Sequence, residues 1–349
     1  GAQVNTHNKF VQNKYEVETE FLEHLRLNGE DTSGNQKTTY TPVFAKTILN
    51  RVTSPDIGKT WSMNPYQGCE HGCAYCYARN SHEYWGYSAG TDFEQKILVK
   101  KNAAHLLEKT FQKSSWQPQP IMLSGNTDCY QPIEKELKIT RAILKVMERY
   151  RHPVGIITKN ALIQRDIDLL KRLNERQLVH VSISITTLDK NLRRKLEPRT
   201  ATVKKRLETI ELLAQNDIPV NVMFAPIIPG LNSHEAMDIA EATSHAGAVA
   251  MHYTVVRLNG QVDKIFMNWV QLHFPDKAEK IRHLIEECHG GQLNDSNFGR
   301  RMSGAGEFAE QLKQTIALAK KKYFAHKTYP AYNCADFLRL PKGQFSLGF

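Results

Sequence analysis

Three cysteines, Cys69, Cys73 and Cys76, lie within eight residues in the run Asn64-Pro-Tyr-Gln-Gly-Cys-Glu-His-Gly-Cys-Ala-Tyr-Cys-Tyr-Ala-Arg79. This C-x3-C-x2-C spacing constrains the chain more than any other feature. Thiolates are the usual ligands of iron–sulfur clusters, and a cubane normally takes four. The loop supplies three, so one iron would be left open to chelate a substrate or cofactor. Gly68 and Gly72 let the backbone fold tightly enough for three sulfurs to converge. Two other readings compete. Cys69, His71, Cys73 and Cys76 form a possible Cys3His zinc site, although four ligands so close in sequence are cramped for one tetrahedral ion. Buried structural cysteines without metal are the other, but they have no reason to cluster at ligand spacing.

The chain has 349 residues, enough for one large domain or two smaller ones with a sizeable core. Its apolar content of 41% and charged content of 23% are those of an ordinary folded protein. No apolar run reaches the length of a membrane span, which argues against a membrane partner. The first ten residues are polar and lack the apolar stretch of a signal peptide. The chain begins at Gly1, which leaves an earlier leader open. Six cysteines with three in one cluster favour metal over a disulfide framework, and a cytoplasmic, reducing location is expected. The net charge is +10, from 46 Lys plus Arg against 36 Asp plus Glu. That excess suits nucleic acid, and it also suits a mildly basic protein with no anionic partner.

Residues 1–58 read as an N-terminal extension, with a short helix over 16–27 and a polar loop over 29–41. From about residue 60, short β-branched runs alternate with amphipathic stretches. Strands are predicted near 61–63 and over 121–124, 154–158, 179–185, 220–225 and 249–256. Helices are predicted over 134–150, where Ile139, Ile143, Val146 and Tyr150 make an apolar face, and over 165–173 and 203–215. Six strand–helix units imply a parallel α/β fold: a partial (β/α)6 TIM-like barrel over 59–256. In such a barrel the chemistry sits on loops after the strands. The cysteine loop, Ser124–Tyr130, Thr158-Lys159 and Pro226–Asn232 all fall there, and Ser182 and Ser184 lie on the fourth strand.

Residues 257–349 read as a mainly helical substrate or cap region. Ile265, Phe266 and Trp269 suit a buried helix face, and a helix over 275–288 stops at Gly290-Gly291. The stretch from Phe298 to Glu307 is glycine-rich, and its Arg300 and Arg301 are candidates to grip phosphate. A plain surface turn is the competing reading.

The cysteine spacing, with an aromatic before the last cysteine, resembles the radical S-adenosylmethionine (SAM) superfamily over about residues 60–256. Further motifs resemble its spore photoproduct lyase-like branch, often labelled DNA-repair-photolyase-like. They are Ser54-Pro-Asp56, Asn64-Pro-Tyr-Gln-Gly-Cys69, Thr127-Asp-Cys-Tyr-Gln-Pro-Ile-Glu134, Thr158-Lys159, Arg165-Asp166, Glu197-Pro-Arg199 and Gly290-Gly-Gln-Leu-Asn-Asp295. The resemblance implies that Cys69, Cys73 and Cys76 hold a 4Fe-4S cluster whose open iron binds the amino and carboxylate groups of SAM. It places Tyr75, Thr127, Asp128, Lys159, Ser182, Pro226, Ile228 and Gly230 around SAM. Lys159 would meet the SAM carboxylate, and the 226–230 backbone would meet adenine. It also implies an external electron donor and reductive cleavage of SAM to a 5′-deoxyadenosyl radical that abstracts hydrogen from substrate.

One departure stands out. The lyase carries a hydrogen-donating cysteine three residues before its Ser-Asp pair, where this chain has a glycine near Gly125. Cys129, beyond the pair, is a candidate replacement donor; a small residue filling a turn is the plainer reading. Tyr66, Tyr75, Tyr77 and Tyr84 are candidates to shape the mouth, or simply to pack. Three functions follow: repair or modification of nucleic acid, modification of a peptide, protein or small metabolite, and a non-catalytic metal-binding module.

Overall fold

The fold is that of a computed structural model, which describes residues 1–11, 37–58 and 60–340. The helix expected over 16–27 and most of the loop expected over 29–41 lie outside the described residues. Among the described residues, ten strands follow in chain order: β1 (Thr39–Val43), β2 (Leu49–Val52), β3 (Thr60–Met63), β4 (Tyr66–Gln67), β5 (Lys96–Lys100), β6 (Ile121–Leu123), β7 (Val154–Thr158), β8 (Val179–Ser184), β9 (Val220–Ile227) and β10 (Ala250–Val255). They form a seven-stranded sheet of order β10-β9-β8-β7-β6-β3-β2 and a three-stranded sheet of order β1-β5-β4. From β3 through β10 the seven-stranded sheet is parallel throughout, while β2 joins its edge antiparallel to β3. This is a partial TIM-like α/β fold, and its six parallel strands are the six the sequence pattern predicts.

The strands stand where they do because alternate residues point to opposite faces. Val179, Val181 and Ile183 of β8 join Val154, Ile156, Val220 and Val222 in the main core. That core is completed by helical residues such as Ile143, Met147, Leu170 and Ile210. The intervening His180, Ser182 and Ser184 take the other face, so the inner wall of the half-barrel is polar where its outer wall is apolar. The helix predicted over 134–150 is in fact two, Glu134–Leu137 and Ile139–Arg149, broken at Lys138 by a left-handed backbone (φ 52°). Its expected apolar face is buried as Ile139, Ile143, Val146 and Tyr150.

The N-terminal extension contributes more than its polarity suggests. Residues 39–41, expected in a loop, lie in β1, and β2 extends the main sheet. The first residues dock on the segment after the cysteine loop. Ala2 N donates to Glu94 Oε1 (2.7 Å) and Asn8 Nδ2 to the carbonyls of Glu83 and Tyr87 (2.9 Å each).

The C-terminal region is mainly helical, as expected, as far as residue 324. Helices Val262–His273, Ala278–Cys288 and Gly306–Phe324 are present, and Ile265, Phe266 and Trp269 are buried. Residues 325–340 are irregular and cross the end of the half-barrel where strands begin. Asn333 N donates to Gln177 O, just before β8, and Leu338 N to Tyr150 O, before β7. Tyr332 and Tyr329 lie 3.7 and 4.3 Å from the His180 ring, centroid to centroid. This segment is a floor under the barrel.

Gly155 of β7 tests that floor. A Cβ there would come within 2.3 Å of Met122 Sδ and 2.7 Å of Tyr332 Oη. Gly155→Val should cost about 1–3 kcal/mol by overpacking and expel the tyrosines. The expected result is a lower urea midpoint together with faster proteolytic cleavage within 325–340; unchanged cleavage there would show that the segment does not depend on this contact.

Candidate active site

The cysteine loop follows β3 and β4 and is held by polar side chains from three sides. Two glycines make its path possible. Gly68 and Gly72 have φ of +82° and +66°, and a Cβ on Gly72 would meet Glu94 Oε2 at 2.5 Å. Arg79 is wholly buried and spends all five of its N–H groups: two on Cys73 O (3.0 and 2.8 Å), two on the carbonyls of Ala89 and Gly90, and one on Glu94. Glu94 in turn accepts from Arg199 Nη2 (2.6 Å). Cys69 N donates to Phe93 O (2.9 Å), and Ala74 N to Leu196 O (3.2 Å).

The loop after β6 forms the second support. Asp128 is buried, and its carboxylate accepts from Tyr130 N, Thr158 Oγ1 and Lys159 N (2.8 Å each) while facing His71 Nδ1 at 3.3 Å. Burial alone would push its carboxyl up; the facing His71 and these N–H donors hold it below the usual carboxylate range. One carboxylate thus ties β6, the end of β7 and the cysteine loop together. Thr127 Oγ1 donates to Gly68 O (2.6 Å) and accepts from Gln131 Nε2 (3.2 Å), so its hydroxyl also grips the loop.

The third support is Glu197. It accepts from the Tyr75 hydroxyl, from Thr186 Oγ1 (2.7 Å) and from Arg206 Nη2 (2.6 Å). Burial opposes ionisation, but Arg206, Lys159 and the Tyr75 hydrogen bond bring the carboxyl down to about 2. Lys159 Nζ lies 5.8 Å from the centre of the Tyr75 ring. The structure therefore gathers Cys73, Tyr75, Lys159 and Glu197 in one place.

Ser182 is buried, and its Oγ accepts from Asn221 Nδ2 (3.2 Å), whose Oδ1 lies 2.6 Å from His252 Nδ1. The three residues form a polar band across the inner face of β8, β9 and β10. Ile228 N is taken by Asn232 Oδ1 (2.6 Å), and its side chain is buried with Cys73, Ala74 and Tyr75. Asn232 Nδ2 also donates to Pro226 O (3.1 Å), and Gly230 (φ +75°) turns the chain beside Leu284. This segment is a pinned turn, and the Ile228 amide is already used internally.

Cys129 is fully buried in the main core, and desolvation pushes its thiol well up. It packs as a small core residue with no exposed surface. Tyr66 is likewise buried, bonded to Glu134, whereas Tyr77 and Tyr84 are exposed. Arg300 and Arg301, expected to grip phosphate, are already paired with Asp295 and Asp56. Gly299 N also donates to Asp56 Oδ1 (2.6 Å). The basic loop is fastened to the Ser54–Asp56 turn at the opposite edge of the sheet, and its charges are largely neutralised.

The thiols suit a cluster better than a zinc ion. His71 is committed to Asp128, and its Nε2 lies 3.3 Å from Asn160 Nδ2. Among the described residues no three His, Cys, Asp or Glu side chains gather around one ion position. A cubane does not require that, since each thiolate binds a different iron. Burial pushes the Cys69 thiol well up and the Cys73 thiol to about 12. Iron binding would therefore displace protons from these thiols. Sequence reasoning quoted Glu197 and Arg199 as motif residues without giving them work, and missed Arg79, Glu94 and Arg206. Their only sequence signal is charge at positions that should be buried.

A half-barrel of six parallel strands with a three-thiol loop after the first of them defines the class of protein. Residues 63–243 match the Radical SAM superfamily, and the chain belongs to that superfamily. An uncharacterized protein of Mycobacterium tuberculosis is 31% identical over 70% of this chain and 73% of its own length. Another from Methanocaldococcus jannaschii is 29% identical over 71% of this chain and 88% of its own. Among solved structures, spore photoproduct lyase complexed with dinucleoside spore photoproduct matches with a TM-score of 0.60 and 17% identity, over 90% of this chain and 85% of the lyase. The chain is a radical SAM enzyme, and among its described residues no helix is long and apolar enough to cross a membrane.

The Glu197 network gives a stability test. Its carboxyl is depressed to about 2 from an unfolded value near 4.5. It therefore stabilises the fold above about pH 4.5 and loses that contribution as pH falls towards 2. Urea midpoints followed through this window in metal-free protein should fall more steeply for wild type than for Glu197→Gln. Arg206→Met, which leaves the carboxylate buried and unpaired, should cost about 3–5 kcal/mol at neutral pH.

Proposed function

We propose that Cys69, Cys73 and Cys76 hold a 4Fe-4S cluster, that SAM binds against it within the half-barrel, and that the enzyme repairs or modifies nucleic acid. The observation that carries the cofactor reading is the three-thiol loop, held rigid by Arg79, Asp128 and Thr127 at the strand ends of a parallel half-barrel. When bound, the cluster and SAM supply one-electron reductive cleavage of the sulfonium and abstraction of hydrogen from substrate.

The protein's own part is positional. Lys159, beside Cys73 and Glu197, offers an ammonium to a carboxylate. Asp128 fixes the Lys159 backbone (2.8 Å) and leaves the side chain to reach the site. Ser182, with Asn221 and His252 behind it, lines the wall with hydrogen-bonding groups. The floor of residues 325–340 closes the opposite end and limits water entry. The substrate reading is supported by the +10 net charge and by the dinucleoside bound to the spore photoproduct lyase of similar fold.

Anaerobic reconstitution with SAM and dithionite should yield 5′-deoxyadenosine from wild type and none from Cys73→Ala. Lys159→Ala should keep its cluster and bind SAM roughly tenfold or more weakly, the loss of one charge-assisted bond. Binding of a short DNA or RNA duplex should fall linearly with log salt. A flat salt dependence would remove nucleic acid as the substrate and leave the cofactor chemistry standing.

A further inference from the structure

The half-barrel is open between its edge strands β10 and β2, and residues 298–302 cross that gap. Five charged side chains stand there. Arg300 pairs with Asp295, and Arg301 with Asp56. The fifth is Arg257, two residues past the end of β10. Three arginines against two aspartates leave one positive charge over, and the pairing leaves it on Arg257. Among the described residues its guanidinium has no carboxylate within ion-pair distance. Its bond is from Nη1 to Met302 Sδ at 3.8 Å, and a thioether is a weak acceptor.

The backbone that carries Arg257 is fixed on both sides. Val255 N donates to Met302 O (2.8 Å), Val256 N to Ile227 O (2.9 Å) and Leu258 N to Leu293 O (3.1 Å). The buried His289 donates through Nε2 to Val256 O (2.7 Å). Val256 and Leu258 point into the apolar cluster that holds Cys73, Ala74 and Tyr75, while Arg257 between them is only half-buried. Tyr77, next in sequence to Cys76, is 54% exposed and donates its hydroxyl to Gly125 O, so it leans from the cysteine loop to the loop after β6. Arg257 and Tyr77 are close enough to feel each other's charge. The guanidinium therefore stands at the lip of the strand-end opening, beside the cysteine loop. Burial and then Arg301 lower its proton affinity, and Asp56, Tyr77 and Asp295 offset this only in part.

We propose that Arg257 binds a phosphate group of the substrate at the lip of the half-barrel and so sets which part of the substrate reaches the cysteine loop. This deepens the nucleic-acid reading and rests on it. A phosphodiester offers two unbridged oxygens to the parallel N–H groups of a guanidinium, and it relieves a half-buried cation that has no internal counter-charge. Arg300 and Arg301 are spent on Asp295 and Asp56 and leave this work to Arg257. A side chain held on a fixed backbone also positions its ligand without first ordering itself.

The test uses the full chain with its cluster reconstituted and two thymidine dinucleotides, one with its phosphodiester and one with an uncharged methylphosphonate linkage. Wild type should bind the charged dinucleotide roughly tenfold or more tightly than the neutral one, the worth of a hydrogen bond to a charged group. Arg257→Gln should lose that preference while keeping its fold by thermal melting and its affinity for SAM. Arg257→Lys, which keeps the charge without the fork, should fall between the two. A preference retained in Arg257→Gln would overturn the proposal. So would a parallel loss of SAM affinity, which would give the guanidinium to the cofactor's carboxylate. Equal binding of both dinucleotides by wild type would overturn it and leave nucleic acid standing as the substrate. If wild type binds neither dinucleotide, the nucleic-acid reading fails, and titration with inorganic phosphate decides the site. Phosphate binding by wild type that Arg257→Gln loses would uphold it, and any other result would overturn it.

Discussion

Arg79 and Glu94 form the ion pair on which the site depends. The cysteine loop buries Cys73, Ala74 and Tyr75 in an apolar cluster, and its backbone groups there need partners in a dry interior. Arg79 answers this by placing one planar guanidinium among the carbonyls of Cys73, Ala89 and Gly90 and against Glu94. Breaking such a buried pair leaves an uncompensated charge at a cost of about 3–5 kcal/mol. Glu94 then recruits Arg199 and the backbone N–H of Ala2, so strand connections far apart in sequence meet at one carboxylate.

Asp128 and Glu197 repeat the device on the other sides of the loop. Each is buried, each is held ionised against desolvation, and each joins segments that the parallel fold brings to one end of the sheet. Three carboxylates thus convert an otherwise featureless loop into a rigid holder. Rigidity matters here because a site that controls a reactive species works by fixed geometry and by excluding competing donors.

What the sequence made legible follows from periodicity. The six parallel strands are short and β-branched, with both faces covered or lining the barrel, and they stand out against amphipathic helices. The strands it hid are β1, β2, β4 and β5. β1 carries a proline and is mostly exposed, and β4 is two residues long. Such edge elements lack the alternation that marks a half-buried strand. Residues 325–340 were opaque for a related reason: Tyr329, Tyr332 and Phe337 seal the floor through rings rather than through any regular backbone. In the site, the cysteines and Lys159 were legible because their chemistry demands those residue types. Arg79, Glu94 and Arg206 were not, because a charged residue reads as surface until its buried partner is seen.

The same reasoning reassigns Arg300 and Arg301. In sequence, the glycine-rich arginine pair looks like an anion site. In the fold, Asp295 and Asp56 answer those charges, and the Arg301–Asp56 pair bridges the β2–β3 connection to Met302, whose carbonyl accepts from Val255 N at the end of β10. Its work is to fasten the two free edges of an open sheet.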